Sequence, residues 1–305
     1  MGEGTIPHHS QTFPLAFELD LPRTMTILGQ TGTAGLTVRF GERFWRATRT
    51  PQGPATASYR MQADALVVDA WGPGATWAVA KAPTLVGSLD DVASFKPQHD
   101  LIADLHRRFP GLRIPRSEAV FEAMVPAIVG QKVTSTQAAQ GVTRILRHFG
   151  EPAPGPAGLL LPPEPAVLAR AGYWTFHPFE IERRRADALL RAAGAAGRLE
   201  EAVGMSPEAA LARLTAIPGI GPWTAAEVAQ RALGDADAVS VGDYHVPNAV
   251  CWALAGEARG TDERMLELLE PYRGHRARVQ ALLQLGGIQA PKFGPRRAIR
   301  WVGST

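Results

Sequence analysis

The hydrophobic pattern of the chain changes period near residue 98, and this change limits it to a fold with two kinds of secondary structure. Before that point, short segments alternate between apolar and polar residues, as strands with one buried face do. Turns rich in Gly and Pro separate these segments. The predicted strands are Phe17–Leu21, Leu36–Phe40, Phe44–Thr48 and Leu66–Trp71. We therefore expect an antiparallel sheet, with a helix or two packed on it, in the first third of the chain.

After residue 98 the apolar residues recur at helical spacing. A first helix is predicted from Ser117, which could cap it, to Gly130, with a bend at Pro126, and a second from about Thr134 to Phe149. Residues 150–166, rich in Pro and Gly, predict a surface connection before further helices. The sequence thus predicts an α+β fold with four parts: a flexible tail (1–14), an N-terminal α+β domain (15–98), an all-helical domain (99–288) and a basic C-terminal tail (289–305).

The composition excludes several classes of protein. The chain has 305 residues, 45% hydrophobic and 20% charged, which is typical of a soluble globular protein with room for two domains. No apolar run suits a transmembrane helix and the first ten residues are polar, so we expect no membrane partner and a cytoplasmic, chromosome-associated monomer. A single cysteine, Cys251, excludes an internal disulfide and a cysteine-ligated zinc or iron–sulfur site. The net charge of +3 permits a nucleic-acid partner without requiring one.

A glycine-rich turn between two predicted helices is the most informative motif. Ser206-Pro207 predicts the start of the first helix, and Pro222 opens the second, which is predicted to run to Leu233. The turn between them is Ile217-Pro218-Gly219-Ile220-Gly221, whose two glycines are expected to permit positive φ. Backbone N–H groups at such a hairpin can bind a DNA phosphate. An ordinary helix–turn–helix corner is the alternative.

This segment resembles the helix–hairpin–helix of the HhH-GPD superfamily of DNA glycosylases. In that family a loop and an aspartate follow the hairpin, and here Asp243 follows at a suitable spacing. Residues 126–134 resemble a segment of the 3-methyladenine DNA glycosylase II proteins, and residues 44–55 are similar to their N-terminal domain. The resemblance covers about residues 15–286. It implies a TATA-binding-protein-like antiparallel sheet followed by an all-helical glycosylase domain.

The resemblance also implies the roles of several residues. Asp243 aligns with the catalytic aspartate, which would stabilise the positive charge that develops on the deoxyribose and position the attacking water. Trp223 stands where lyase members carry a nucleophilic lysine, which implies a monofunctional N-glycosylase that excises alkylated bases by base flipping. Trp223 and Tyr244 would line the base pocket, and Gln131 would pair with the opposite strand or support the pocket. For Asp243 alone, a helix N-cap is the alternative.

The expected partner is double-stranded DNA that contains damaged bases. The predicted DNA contacts are Gly219, Ile220, Gly221, Thr224, Lys132 and Arg276. Lys132 stands where the family inserts a side chain into the gap left by the flipped base, or it could contact a phosphate. The resemblance implies no cofactor other than a monovalent cation on the carbonyls of Ile217 and Ile220. Glu227 is expected to face solvent, and the aromatic turn Tyr173–Phe179 either faces the base pocket or packs inside.

Other functions remain open at this point. A non-catalytic DNA-binding protein would use the hairpin only to hold phosphates, and the spacing of Asp243 argues against it. A glycosylase for deaminated or oxidised bases is the second alternative, and the missing hairpin lysine argues against its lyase form. A metal-dependent nuclease would need clustered carboxylates or histidines, which the sequence does not present.

Overall fold

The computed structural model describes residues 7–28 and 33–291, and these form an α+β fold as predicted. The first third of the chain forms a five-stranded antiparallel sheet in the order β1-β5-β4-β3-β2. The strands are β1 (His8–Pro14), β2 (Val38–Arg39), β3 (Phe44–Thr50), β4 (Gly53–Gln62) and β5 (Ala65–Trp71). Helices α1 (Leu21–Thr26), α2 (Ala75–Ala80) and α3 (Ala82–Leu85) accompany the sheet, and the expected helix packs on it as α2.

The edge strand β1 corrects the prediction of a flexible tail at 1–14. It pairs along its whole length with β5, from His8 opposite Trp71 to Pro14 opposite Ala65. Because β1 is almost entirely exposed, it lacks the alternating apolar face that predicts a strand. The predicted strand Phe17–Leu21 is also wrong, since its last residue begins α1.

Strand β4 lies in the middle of the sheet and was not predicted. It runs between β3 and β5, and its Ala55, Ala57 and Tyr59 side chains are buried in the core of the sheet. Its Gly53-Pro54 start reads as a turn in the sequence, and its small residues give a weak β-pattern. The hydrophobic core of this part therefore contains a strand that local propensity does not reveal.

Eleven further α-helices lie in the described part of the chain from residue 99 to 291. They are α4 (Asp100–Arg108), α5 (Val120–Val129), α6 (Ser135–Phe149), α7 (Pro165–Ala169), α8 (Arg183–Gly194), α9 (Ala196–Glu200), α10 (Pro207–Thr215), α11 (Pro222–Val228), α12 (Val246–Ala255), α13 (Asp262–Leu269) and α14 (Arg276–Leu285). Within those residues no helix has the length and apolar character needed to cross a membrane.

The helices pack around two separate hydrophobic clusters. One cluster contains α5, α6, α8 and the buried faces of α10 and α11. The other contains α4, α12, α13 and α14, and it buries the single cysteine, Cys251. The loop between α11 and α12 therefore passes from one cluster to the other, and it carries Asp243 between them.

The central helix α5 begins with a cap that the sequence did not indicate. Ser117 was expected to cap it, but the Glu200 carboxylate accepts the N–H groups of Val120 at 2.9 Å and Phe121 at 2.8 Å. Burial raises the pKa of Glu200 above its usual range. For α6 the prediction is confirmed, since Thr134 forms a capping box with its first turn.

Two ion pairs, one buried and one partly buried, connect distant parts of the chain. Arg278 on α14 pairs with Asp90, which follows the sheet in sequence, and Arg46 on β3 pairs with Glu122 on α5 at 3.0 Å. The predicted domain boundaries near residues 98 and 288 stay predictions. The predicted basic C-terminal tail (289–305) lies outside the described residues from residue 292 onward.

Candidate active site

Both helices of the predicted hairpin are present, and they begin where the sequence predicts. Ser206 caps α10, since its hydroxyl accepts the N–H of Ala209 at 3.3 Å. Pro222 opens α11, which continues as one π-helical turn to Leu233. Gly234 then ends this helical stretch with a φ of +67°. These boundaries are local in origin, because capping hydroxyls, prolines and glycines act on their own turn of helix.

The turn of the hairpin is tight and needs one of its two glycines. The Ile220 N–H donates to the carbonyl of Ile217 at 3.0 Å. Gly219 has a φ of +99°, and a Cβ there would lie 2.8 Å from the Cβ of Ala188 on α8. Gly221 has an extended φ of −98°, so the expected positive φ is wrong at this position. Glycine is thus required at 219 by both backbone conformation and packing.

Two carbonyl oxygens of the turn accept hydrogen bonds from other elements. Gln131 Nε2 donates to the carbonyl of Gly219 at 2.9 Å and to the hydroxyl of Thr224, also at 2.9 Å. Arg191 Nη1 donates to the carbonyl of Pro218 at 3.3 Å. The N–H groups of Gln131 and Arg191 offset the partial negative charge of these two carbonyl oxygens, which would otherwise repel a DNA phosphate. Of the two roles predicted for Gln131, the contacts fit support of the site.

Two of the predicted DNA contacts, Thr224 and Ile220, have buried side chains, and their contacts with DNA stay predictions. Thr224 is only 2% exposed, and its hydroxyl is occupied by Gln131. The Ile220 side chain is buried, and its N–H serves the turn itself. Gly219 is exposed, and a Cβ on Gly221 would meet nothing within 4 Å, so both glycines present accessible backbone. They stay predicted contacts.

The cation predicted at the carbonyls of Ile217 and Ile220 also stays a prediction. The Ile217 oxygen already accepts the turn hydrogen bond, which leaves one lone pair for a cation. Within residues 7–28 and 33–291, no group of three or more His, Cys, Asp or Glu could hold a metal ion.

Asp243 lies just before α12, and both of its carboxylate oxygens accept hydrogen bonds. Oδ1 accepts the N–H groups of His245 at 2.6 Å and Val246 at 2.9 Å. Oδ2 accepts the indole N–H of Trp223 at 3.0 Å. The first two contacts are those of a capping aspartate, and the third fixes the carboxylate to α11. The structure therefore brings the predicted Asp243 and Trp223 together.

A network of polar side chains fixes the loop that leads to Asp243. Glu227 Oε1 accepts the Ser240 hydroxyl at 2.7 Å, and Glu227 Oε2 pairs with Arg231 at 2.8 Å. Gln230 Nε2 donates to the carbonyl of Ala238 at 2.7 Å. The expectation that Glu227 faces solvent is wrong, because its carboxylate connects α11 to the loop through the Ser240 hydroxyl. Sequence reasoning missed this network because the partners lie 13 residues apart across an irregular segment.

Tyr244 does not form the predicted aromatic wall with Trp223. Its side chain is 82% exposed, and its ring meets that of His245 edge to face, with centroids 4.9 Å apart. The half-buried Trp223 ring instead lies beside Gly130, the residue that ends α5. A Cβ added to this glycine would lie 3.5 Å from the ring. A depression of about 390 Å³ opens beside the carboxylate, lined by Asp243, Tyr244, Pro247, Asn248 and residues 260–263. The pocket role of Tyr244 stays a prediction that requires its ring to move.

The two predicted basic contacts have different environments. Lys132 is exposed with a φ of +56°, next to Gln131 at the hairpin, and it stays a predicted contact. Arg276 instead makes a double ion pair with Asp237, at 2.8 and 2.5 Å. Burial raises the pKa of Asp237, but the hydrogen bonds from Arg276 outweigh it and hold this pKa below its usual value. The charge of Arg276 is thus paired in this structure, and its contact with DNA stays a prediction.

The fold matches solved structures of DNA glycosylases. The 3-methyladenine DNA-glycosylase from Archaeoglobus fulgidus aligns with a TM-score of 0.75 at 20% identity, over 90% of this chain and 97% of that chain. The 8-oxoguanine glycosylase/lyase of Clostridium acetobutylicum, in complex with double-stranded DNA, aligns with a TM-score of 0.70 at 14% identity, over 92% and 96%. At these identities the likeness shows the fold alone. The described residues thus have the fold of a helix–hairpin–helix DNA glycosylase.

In sequence, the chain is similar to one type of these enzymes. It is 31% identical over 168 residues to DNA-3-methyladenine glycosylase 2 of Escherichia coli (strain K12), which covers 54% of this chain and 58% of that protein. The match thus spans little more than half the length of this relative. No protein-family model matches the sequence. The similarity in sequence and fold confirms the predicted resemblance to the 3-methyladenine DNA glycosylase II proteins.

Proposed function

We propose that this protein is a monofunctional DNA N-glycosylase that removes alkylated bases of the 3-methyladenine type from double-stranded DNA. The observation that carries the proposal is the position of Asp243. Its carboxylate is fixed by the start of α12 and by Trp223, and it borders an open depression beside α12 and the start of α13. The similarity to DNA-3-methyladenine glycosylase 2 supports the class of base.

In the proposed mechanism Asp243 acts on the sugar and not on the departing base. When the N-glycosidic bond breaks, its electrons leave with the base, and positive charge develops on the deoxyribose. A carboxylate held by three donors stabilises this charge without having to reorganise. A water molecule oriented by the same carboxylate adds to the sugar and gives its proton to that carboxylate. The product is an abasic site.

The proposed enzyme leaves the DNA strand intact. A lyase needs a primary amine in the hairpin to form a Schiff base with the sugar. The corresponding residue here, Trp223, has no amine, and its indole N–H is directed at Asp243. We therefore expect hydrolysis and no covalent intermediate.

DNA would be held by the accessible backbone of Gly219 and Gly221 and by the exposed Lys132. The damaged base would rotate out of the helix toward Trp223 and the exposed Tyr244. The finer predictions belong to this proposal as well: a TATA-binding-protein-like arrangement of the sheet, a monomer acting on chromosomal DNA in the cytoplasm, and no cofactor beyond the hairpin cation.

The test of this proposal is base release from methylated duplex DNA. We expect free 3-methyladenine, abasic sites that break only on heating in alkali, and no complex trapped by borohydride. A trapped complex would assign lyase chemistry instead. Release of uracil, hypoxanthine or 8-oxoguanine but not of methylated bases would favour the second alternative. Binding of the duplex without release of any base would leave a non-catalytic DNA-binding protein.

Replacement of Trp223 by Phe is expected to lower the rate of base release moderately. The aromatic ring is kept, but the hydrogen bond to Asp243 Oδ2 is lost. A hydrogen bond to a charged group contributes about 1.5 kcal/mol, so we expect base release to slow about tenfold. Single-turnover rates at saturating enzyme measure this loss separately from binding. An unchanged rate would mean that the indole positions the base only through its ring.

A further inference from the structure

The turn Tyr173–Phe179 exposes two aromatic rings just before α8. It forms a 3₁₀ helix in which Phe176 is fully buried in the helical core. Trp174 is 69% exposed and Tyr173 is 40% exposed, and the two rings meet edge to face with centroids 5.6 Å apart. Phe176 and the adjacent Phe179, which packs against the same core, anchor the turn, so packing does not explain the exposed aromatic pair, Tyr173 and Trp174.

The aromatic pair is held in place before any ligand binds. A Cβ on Gly172 would overlap the indole ring of Trp174, so one face of this ring covers the glycine backbone. Gly172 has an ordinary extended conformation, φ −79° and ψ 150°, and glycine is therefore needed there only for the ring. The guanidinium of Arg183 lies 4.7 Å from the ring centroid of Tyr173. Rings fixed in this way lose little conformational entropy on binding.

Helix α8 connects the aromatic pair to the hairpin. Its Ala188 packs against Gly219, and its Arg191 binds a carbonyl of the turn. Arg184 is exposed and lies one helical turn before Ala188, on the same side of the helix. The N-terminal end of α8 then meets the 3₁₀ turn. One edge of the protein thus runs from the hairpin along α8 to the aromatic pair.

This edge carries positive charge. Arg183, Arg184 and Arg191 are exposed, and Arg184 has no hydrogen-bond or ion-pair partner in the described part of the chain. The acidic residues nearby include Asp187, 3.8 Å from Arg183, the exposed Glu182, 3.7 Å from the buried Arg185, and Glu180, 4.0 Å from Arg144. Exposed pairs at such distances are largely screened by solvent. The arginines are therefore available to DNA phosphates.

We propose that the aromatic pair is a stacking surface for a DNA base that has lost its partner, with Arg183 and Arg184 on the neighbouring phosphates. This inference rests on the proposed function, because rotation of one base out of a duplex leaves the opposite base unpaired. An unpaired base has an accessible π-face, which aromatic side chains bind regardless of sequence. Lys132, which is exposed in the loop after α5, has no ring with which to stack. Trp174 supplies the ring that the loop after α5 lacks.

The test uses a duplex with a stable abasic analogue opposite 2-aminopurine, a base that fluoresces more strongly when it is unstacked. Relative to wild type, Trp174→Ala is expected to bind this duplex about tenfold more weakly, and its complex is expected to fluoresce more strongly. Trp174→Phe should keep most of both properties. Gly172→Ala keeps every aromatic atom but displaces the ring, so it should behave like Trp174→Ala. Thermal unfolding of each variant checks that the fold is unchanged.

Leu89→Ala is the matched control, since Leu89 is 67% exposed on another part of the protein. It should change neither the affinity nor the fluorescence. A second experiment uses Arg184→Ala. The slope of its DNA affinity against salt concentration should correspond to about one phosphate contact fewer than that of wild type.

The outcomes separate this proposal from the proposed function. If wild type releases methylated bases while Trp174→Ala binds the abasic duplex like wild type, the stacking surface is overturned and the glycosylase stands. If Trp174→Ala weakens binding to fully paired DNA equally and leaves the fluorescence unchanged, the ring contacts only the backbone, and stacking is likewise overturned. If wild type releases no base but the variants behave as expected on abasic DNA, the stacking surface stands and the glycosylase fails.

Discussion

Asp243→Asn is expected to lower the rate of base release about a thousandfold while DNA binding is retained. Asparagine has the same shape, and its Oδ1 can still accept the N–H groups of His245 and Val246. What is lost is the negative charge beside the developing sugar cation, and the loss of one such fixed electrostatic contact typically costs 10²- to 10³-fold or more. The amide nitrogen also cannot accept the N–H of Trp223. Single-turnover release of 3-methyladenine and titration of abasic DNA measure the two effects separately.

The control for this experiment is Asp262→Asn. Asp262 lines the same depression and accepts the N–H of Gly242 at 3.0 and 3.1 Å, a contact that an amide oxygen can keep. This variant removes one charge from the same region but leaves the carboxylate held by Trp223. Its effect should be a few-fold at most. If both variants lost the same fraction of the rate of base release, the overall negative charge of the depression would account for the effect. Release that survives Asp243→Asn would place catalysis on another residue.

The largest effect on stability is expected at the ion pair of Arg278 and Asp90. The two side chains are 1% and 2% exposed, and Asp90 Oδ2 also accepts the N–H of Ile114 at 2.9 Å. Arg278→Met would leave this carboxylate buried without its cation, which should lower the free energy of unfolding by about 3–5 kcal/mol. Denaturation by urea measures the change. The pair links α14 to the segment after the sheet, so the loss should appear in a single unfolding transition.

Two comparisons give this prediction its controls. Arg276→Met removes an ion pair from the same helix, but that pair is 19% and 26% exposed, so its loss should cost about 1 kcal/mol. The double variant Arg278→Met with Asp90→Leu removes both buried charges and should recover part of the loss, because no unpaired charge remains. If the double variant were as unstable as the single one, packing and not charge would account for the effect.

The elements that could be predicted from the sequence are those with local signals. Ser206, Pro222 and Gly234 mark the boundaries of α10, α11 and the π-helical turn, since each acts on its own turn of helix. The alternating strands β3 and β5 were predicted for the same reason. The exposed β1 and the alanine-rich β4 were missed, because their conformation is set by their partners in the sheet.

In the candidate site, too, some features could be predicted from the sequence and others depend on partners that are distant along the chain. The positions of Asp243 and Trp223 could be predicted from the family resemblance, but the hydrogen bond between them could not. It depends on the path of the intervening loop, which Glu227 fixes from α11. The ion pair of Arg276 could not be predicted either, because its partner, Asp237, lies 39 residues earlier in the chain. A cluster of basic residues in a sequence indicates positive charge, but only the fold shows which of these charges are already paired.

The order of strands in the sheet has a consequence for synthesis of the protein. The first strand, β1, pairs only with the last, β5, so it has no partner until residue 71 has left the ribosome. At about 5–20 residues per second this wait lasts roughly 3–12 s. Unpaired strands are hazardous when they are apolar, because they can join the edges of other chains. The segment His8–Pro14 contains one large apolar residue, Phe13, and is otherwise polar or proline. The polar composition of β1 makes this strand hard to predict from the sequence. The same composition lowers the tendency of the unpaired strand to aggregate during synthesis.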